Sequence, residues 1–149
     1  MATITTKTRT SVSKQEETQL QTDPNWHQQE AMANKQRADD LFQKGDHGWA
    51  VVLLFYAALH QFDAVLGEGG VQTNSHEAQD EAIAAHPQSR IALADYQLLR
   101  SASIAVRYQG ATLGYKGWQW YQTIYDRVAT IVLGTRQGCL VEGESDLGD

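Results

Sequence analysis

Residues 49–66 read WAVVLLFYAALHQFDAVL, and this stretch decides the fold. Val52, Phe55, Leu59, Phe62 and Leu66 recur at alternating steps of three and four, the spacing of a seam in a helix bundle. Leu53, Leu54, Ala57 and Ala58 make most of the remaining circumference apolar too. A helix that is apolar nearly all round belongs at the centre of its domain. Its longest unbroken apolar run, Trp49 to Leu59, is shorter than the roughly 18–20 residues that cross a bilayer. It is therefore read as a buried helix, and nothing is expected to span a membrane. The helix starts after Asp46 and ends at GEGG, residues 67–70.

On the N-terminal side, Asp23-Pro24 marks the start of a preceding helix. Asp accepts hydrogen bonds from first-turn N–H groups, and Pro is preset for the first helical position. Ala31, Asn34, Ala38, Leu41 and Phe42 share one face of it, and Gly45 is a left-handed stop. On the C-terminal side, Asn74-Ser75-His76-Glu77 reads as the cap of a short third helix, with Asn74 and Glu77 at capping-box spacing. That helix ends before His86-Pro87, because a residue preceding proline avoids the helical region. A fourth helix is expected over about Ser89 to Tyr108, with Ile91, Leu98, Ala102 and Ala105 along its apolar face and Leu99 and Val106 beside them. Gly110 to Gly117 holds three glycines and reads as a loop. A fifth helix then runs from about Trp118 to Thr135, with Tyr121, Ile124, Val128 and Ile131 as its seam. No alternating pattern supports a sheet.

The expected fold is all-α, an antiparallel four- or five-helix bundle over residues 23–140. Residues 1–22 are rich in Thr, Ser, Gln and charge, and bury too little to offset ordering entropy, so they are read as a disordered arm. Residues 141–149 are read as an acidic disordered tail. The N-terminus lacks the apolar core of a secretory signal. With Cys139 the sole cysteine, no intramolecular disulfide can form, which points to a reducing, cytoplasmic setting. Net charge is −6. The last eight residues hold four acids and no base, so residues 24–141 carry nine Lys/Arg against eleven Asp/Glu. A bulk basic surface for polyanions is excluded, and any nucleic acid would need a local patch.

The order of elements, with WAVVLLFYAALHQFDAVL, then SHEAQDEAI, then DYQLLRSASIAVRY, resembles small bacterial HEPN-domain proteins. There an aromatic-Ala-Ala-Leu-His segment precedes a Ser-His helix start and a Tyr-x-x-Leu-x-x-x-Ser-x-x-x-Arg-Tyr helix. Tyr96, Leu99, Ser103, Arg107 and Tyr108 match the last of these, and the resemblance covers roughly residues 26–135. It implies a bundle of four or five helices, usually dimeric, often a ribonuclease of a toxin–antitoxin or phage-defence system. The family's catalytic Arg, followed four to six residues later by His, has no counterpart here: no arginine has a histidine at that spacing. The resemblance then implies binding of RNA, nucleotide or a partner protein, or a metal-independent ribonuclease with a divergent centre.

Tyr96, Arg100, Ser103 and Arg107, with Tyr108 beside them, form a polar stripe at helical spacing. The two guanidiniums would sit about two turns, ~10 Å, apart, suiting successive phosphates. The plainer reading is a solvated face, or arginines paired with Asp39, Asp40 or Asp63. His60 lies in an otherwise apolar helix with Tyr56 and Asp63 on its face. It is either a core histidine or a general base oriented by Asp63 and facing Arg107. His27-Gln-Gln-Glu30 and His60-Gln-Phe-Asp63 share a His-x-x-acid spacing, but reversed from the Glu-x-x-His of di-metal bundles. Glu30 also falls off the apolar face, so the expectation is no metal and no cofactor. Trp118, Trp120, Tyr121 and Tyr125 crowd the fifth helix as core by default or as a candidate homodimer or partner interface, with Trp120 and Tyr125 the expected exposed pair. A pure interaction module without chemistry is the rival class.

Overall fold

The computed structural model describes the backbone of residues 23–145 and side chains as far as Gly134. The expected arm, residues 1–22, and the last four residues of the tail lie outside the described residues. Five α-helices are described, with no strand among the described residues: α1 Pro24–Gln43, α2 His47–Glu68, α3 His76–Ala85, α4 Leu93–Tyr108 and α5 Tyr115–Ser145. A 3-10 turn, Ser89–Ala92, leads into α4.

Local chemistry sets the boundaries. Asp23 Oδ1 accepts from the Asn25 amide at 2.9 Å, and Pro24 opens α1. At the far end Gly45 takes φ +83°, the Asp46 amide donates to the Leu41 carbonyl, and that of Gly45 to Phe42. This pair of bonds closes a helix through a left-handed residue. Asp46 then caps α2 through the Trp49 amide. For α3 the capping side chain is Ser75, whose Oγ accepts from the Ala78 amide at 3.1 Å. The Asn74–Glu77 box read from the sequence is not the cap. α3 ends at Ala85, ahead of Pro87.

α2 is the central helix. Ala50, Val51, Val52, Leu54, Phe55, Ala57, Ala58, Phe62 and Ala64 to Leu66 are all buried. α1, α4 and α5 pack around it. α1 runs antiparallel to it, since Phe42 meets His47 at one end and His27 meets His60 at the other. α4 is also antiparallel: Val106 lies against Gly48, and Tyr96 against Phe55 and Phe62. By length and composition α2 would suffice to cross a membrane, because between Trp49 and Leu66 only His60, Gln61 and Asp63 interrupt its apolar and aromatic side chains. Most of it is instead buried by its neighbours, as befits a core helix.

Two faces differ from expectation. On α4 the inward side chains are Tyr96, Leu99, Ala102 and Ser103, while Leu98 faces outward and Ile91, in the preceding 3-10 turn, is 71% exposed. The supposed solvent stripe is thus half core. Tyr96 offers more apolar area than Leu98, and its hydroxyl finds a partner inside. On α5, Trp118 and Tyr125 are buried rather than at an interface. Trp118 stacks on Phe42 at 5.1 Å, and the Tyr125 hydroxyl accepts from Gln61 Nε2 at 3.0 Å. Trp120, 52% exposed, and half-buried Tyr121 make an edge-to-face pair on the outside. α5 starts earlier than Trp118, at Tyr115, and its backbone continues through Gly134 and Gly138 to Ser145. Residues 141–145, expected in a disordered tail, therefore extend the helix.

Truncating a central ring should cost far more than truncating an outward residue of the expected α4 seam. Phe62→Ala is expected to lose about 3–5 kcal/mol and Ile91→Ala less than about 0.5 kcal/mol, as read by urea denaturation.

Candidate functional site

The polar exceptions on α2 converge at the end of the bundle where α1 begins. The cap at Asp23 and Pro24 fixes the first turn of α1 and directs Trp26 and His27 toward α2. His27 is buried, and its Nδ1 lies 3.0 Å from Nδ1 of His60. The ring centroids are 5.3 Å apart. The Trp26 indole stands edge-on to both imidazoles, at 5.0 and 5.6 Å, and walls one side.

Asp63, one turn beyond His60, completes the group. One donor atom from each of His27, His60 and Asp63 lies within 4.8 Å of the others. Asp63 does not bond to His60. Its Oδ1 accepts from Gln79 Nε2 of α3 at 2.9 Å, and Gln79 Oε1 accepts from the Tyr96 hydroxyl at 2.5 Å. The Ser75 cap makes this possible, because it starts α3 where Gln79, one turn in, faces α2.

The end of α2 supplies the mouth. Gly70 takes φ +77°, the Val71 amide donates to Leu66 and that of Gly70 to Gly67. This closure turns Val71 to Thr73 back over the cluster. A pocket of about 270 Å³ opens there, with His27 and Asp63 in its wall and Gly70 to Thr73 along its rim. Asp63 and Thr73 also border a second hollow, of about 280 Å³, that carries His76 and Gln79. Asp63 is thus approached from both sides.

Burial sets the electrostatics. It lowers the His60 pKa, as does the neighbouring His27 charge, with Glu30 opposing more weakly. Burial likewise raises the Asp63 pKa, against His27, the Gln79 hydrogen bond and His76. Tyr96 is pushed well up by its burial and stays a hydroxyl donor. A 3.0 Å contact between two ring nitrogens requires that at least one be unprotonated, and which ring carries the proton is a matter of tautomer.

The arginines expected to join this centre are held elsewhere. Arg107 donates to the Tyr56 hydroxyl at 2.9 Å and to the Ser103 carbonyl at 3.3 Å, between the rings of Tyr56 and Tyr108. Among the described residues no hydrogen bond or ion pair links it to His60. The imidazole partner of His60 is His27 instead. Arg100 is not free for a phosphate: both its terminal nitrogens bond Asp80, one at 2.8 Å, and its guanidinium lies over the Tyr96 ring. Its partner is Asp80, not Asp39, Asp40 or Asp63; Asp39 takes Lys35 at 2.6 Å. Tyr96 and Ser103 are buried, and only Tyr108, 74% exposed, lies open on that stripe.

Sequence reasoning considered His27 only within a same-helix motif and passed over Gln79 and Trp26. A signal for His27 existed. It lies 17 residues before Lys44 and His60 lies 16 after, so a tight antiparallel hairpin turning there sets them opposite each other. The expectation of no metal ligands is revised accordingly: these three side chains form a donor set that could hold a cation.

Arg100 holds the Asp80 pKa below the usual carboxylate value. As pH falls, the unfolded chain takes up this proton before the folded one does. The pair's stabilisation is therefore present above a pH of about 4 and is lost as pH drops through the lower folded value. Asp80→Asn should flatten the acid limb of a stability–pH curve measured by chemical denaturation. No family model matches the chain, and no curated protein or solved structure is detectably similar to it.

Proposed function

We propose that this protein works through a divalent transition-metal centre formed by His27, His60 and Asp63. The observation that carries the reading is the 3.0 Å separation of the two Nδ1 atoms beside a carboxylate. Two imidazoles on one cation, with metal–nitrogen bonds of about 2.0–2.1 Å and a near-tetrahedral or octahedral angle, place their nitrogens roughly 3 Å apart. A cation held between these two nitrogens would also have Asp63 within reach as a third ligand. Two nitrogens and one oxygen favour zinc or another late first-row ion over magnesium or calcium.

Three protein ligands leave coordination positions open, as in catalytic rather than structural zinc sites. The pocket beneath Gly70 to Thr73 provides room for water or substrate there. A cation held by these residues would supply Lewis acidity for a water and for a carbonyl or phosphoryl oxygen, so hydrolysis is the reaction class supported. The lowered basicity of His60 keeps it unprotonated near neutral pH, the form that binds metal.

A second reading follows the HEPN resemblance, with RNA or nucleotide binding or an accessory role beside a partner protein in a defence or toxin–antitoxin system. It is supported by Arg107, which lies between two tyrosine rings and makes no carboxylate ion pair among the described residues. Trp120 and Tyr121 would then be the contact for a partner or a second copy.

Zinc titration of the full chain, followed by calorimetry and thermal melting, separates the readings. One equivalent should bind, and zinc at about 100 times its Kd should add about 2.7 kcal/mol of stability. His27→Ala and His60→Ala should each weaken binding more than about 100-fold, beyond the usual effect of an outer-shell change. A chain that binds no zinc sinks the metal reading. For the second reading, single-stranded RNA should bind with a salt-dependent affinity, and Arg107→Ala should reduce the slope of log K against log salt by about 0.7.

A further inference from the structure

Within the proposed metal site, Asp63 is the only carboxylate, and its hydrogen-bond partner comes from α3. Gln79 is 3% exposed and Tyr96 fully buried, and neither has a role as a ligand. Gln79 Nε2 faces two groups, Asp63 Oδ1 at 2.9 Å and the Leu59 main-chain carbonyl at 3.5 Å. A carbonyl only accepts, so the amide must present its NH₂ end there. Its oxygen is then left for the Tyr96 hydroxyl, which donates at 2.5 Å. The phenol is itself immobilised between Phe55, at 5.7 Å, and Phe62, at 4.8 Å, with Arg100 over its ring. The chain from Tyr96 through Gln79 to Asp63 therefore has one polarity, and it ends on an acceptor.

We propose that Gln79, locked by Tyr96, is the positioning residue of this centre: it holds Asp63 as an accepting carboxylate by one oxygen and leaves the other oxygen for the cation bound by His27 and His60. Outer-shell partners of this kind orient ligands and typically change metal affinity by about 10–100-fold. The inference rests on the metal reading and would add a residue from α3 to a site otherwise built on α1 and α2.

The test uses the full chain, with zinc affinity measured by competition against a chelator and cobalt substitution read by its visible d–d absorption. Gln79→Leu is expected to weaken zinc binding about 10–100-fold and to alter the cobalt spectrum. Tyr96→Phe should weaken it less, because the amide keeps its bond to the Leu59 carbonyl. Gln79→Glu sets two carboxylates against each other, one of which must hold a proton. Its zinc affinity should therefore depend more steeply on pH than that of the parent, which a purely structural defect would not produce. Circular dichroism and melting confirm that each variant is folded. Should Gln79→Leu fail to fold, Tyr96→Phe and Gln79→Glu carry the test. Parent-like affinity, cobalt spectrum and pH profile in the folded variants would overturn the positioning role while leaving the metal site standing. A parent chain that takes up neither zinc nor cobalt overturns the metal reading and this inference with it.

Discussion

A helix with apolar side chains around most of its circumference must be enclosed, and α2 imposes that demand on the whole molecule. Its buried residues point in every direction across its axis, so no single partner can cover them. α1, α4 and α5 do so from different sides. Each contributes apolar groups to the shared core: Phe42 and Ala38 from α1, Tyr96 and Leu99 from α4, Trp118, Ile124 and Val128 from α5. Apolar burial is the dominant favourable term, and the antiparallel hairpin of α1 and α2 follows from the short turn at Gly45.

The same enclosure makes the few polar groups on α2 consequential. A buried donor or acceptor without a partner costs about 1–3 kcal/mol, so the surrounding helices supply partners, although Gln61 Oε1 stays without one. His60 is met by His27 of α1, Asp63 by Gln79 of α3, Gln61 by Tyr125 of α5 and Tyr56 by Arg107 of α4. Four polar positions on one helix thus recruit partners from four others. Two of these meetings, at His60 and Asp63, fall side by side, and His27 and Asp63 border an open pocket beneath a loop. The site is a consequence of satisfying polar groups at one end of the core. There two imidazoles and a carboxylate bring one donor atom each within 4.8 Å of the others.

The helices themselves were largely legible, because capping chemistry and apolar spacing are local. Asp23-Pro24, Gly45, Asp46 and Pro87 each act within a few residues of the backbone they govern. The face of α4 was not legible, since Tyr96 can count as polar or as core. Which applies depends on whether something inside accepts its hydroxyl proton, and that acceptor, Gln79, lies on another helix. The same holds for Trp118 and Tyr125, whose rings suit an interface or an interior equally well. Arg100 could not be assigned for a related reason: the carboxylate that takes it up, Asp80, is twenty residues away in sequence.

Amino-acid order alone therefore determined an all-helical bundle, the central place of α2 and the positions of most helix ends, because periodicity and capping act over one or two turns. It also showed His60 and Asp63 to be polar exceptions in an apolar helix. Only the tertiary structure decided what those exceptions meet. The approach of His27 to His60 depends on the register of a hairpin, and the hold of Gln79 on Asp63 depends on where α3 docks. Both are set by packing among residues far apart in the chain.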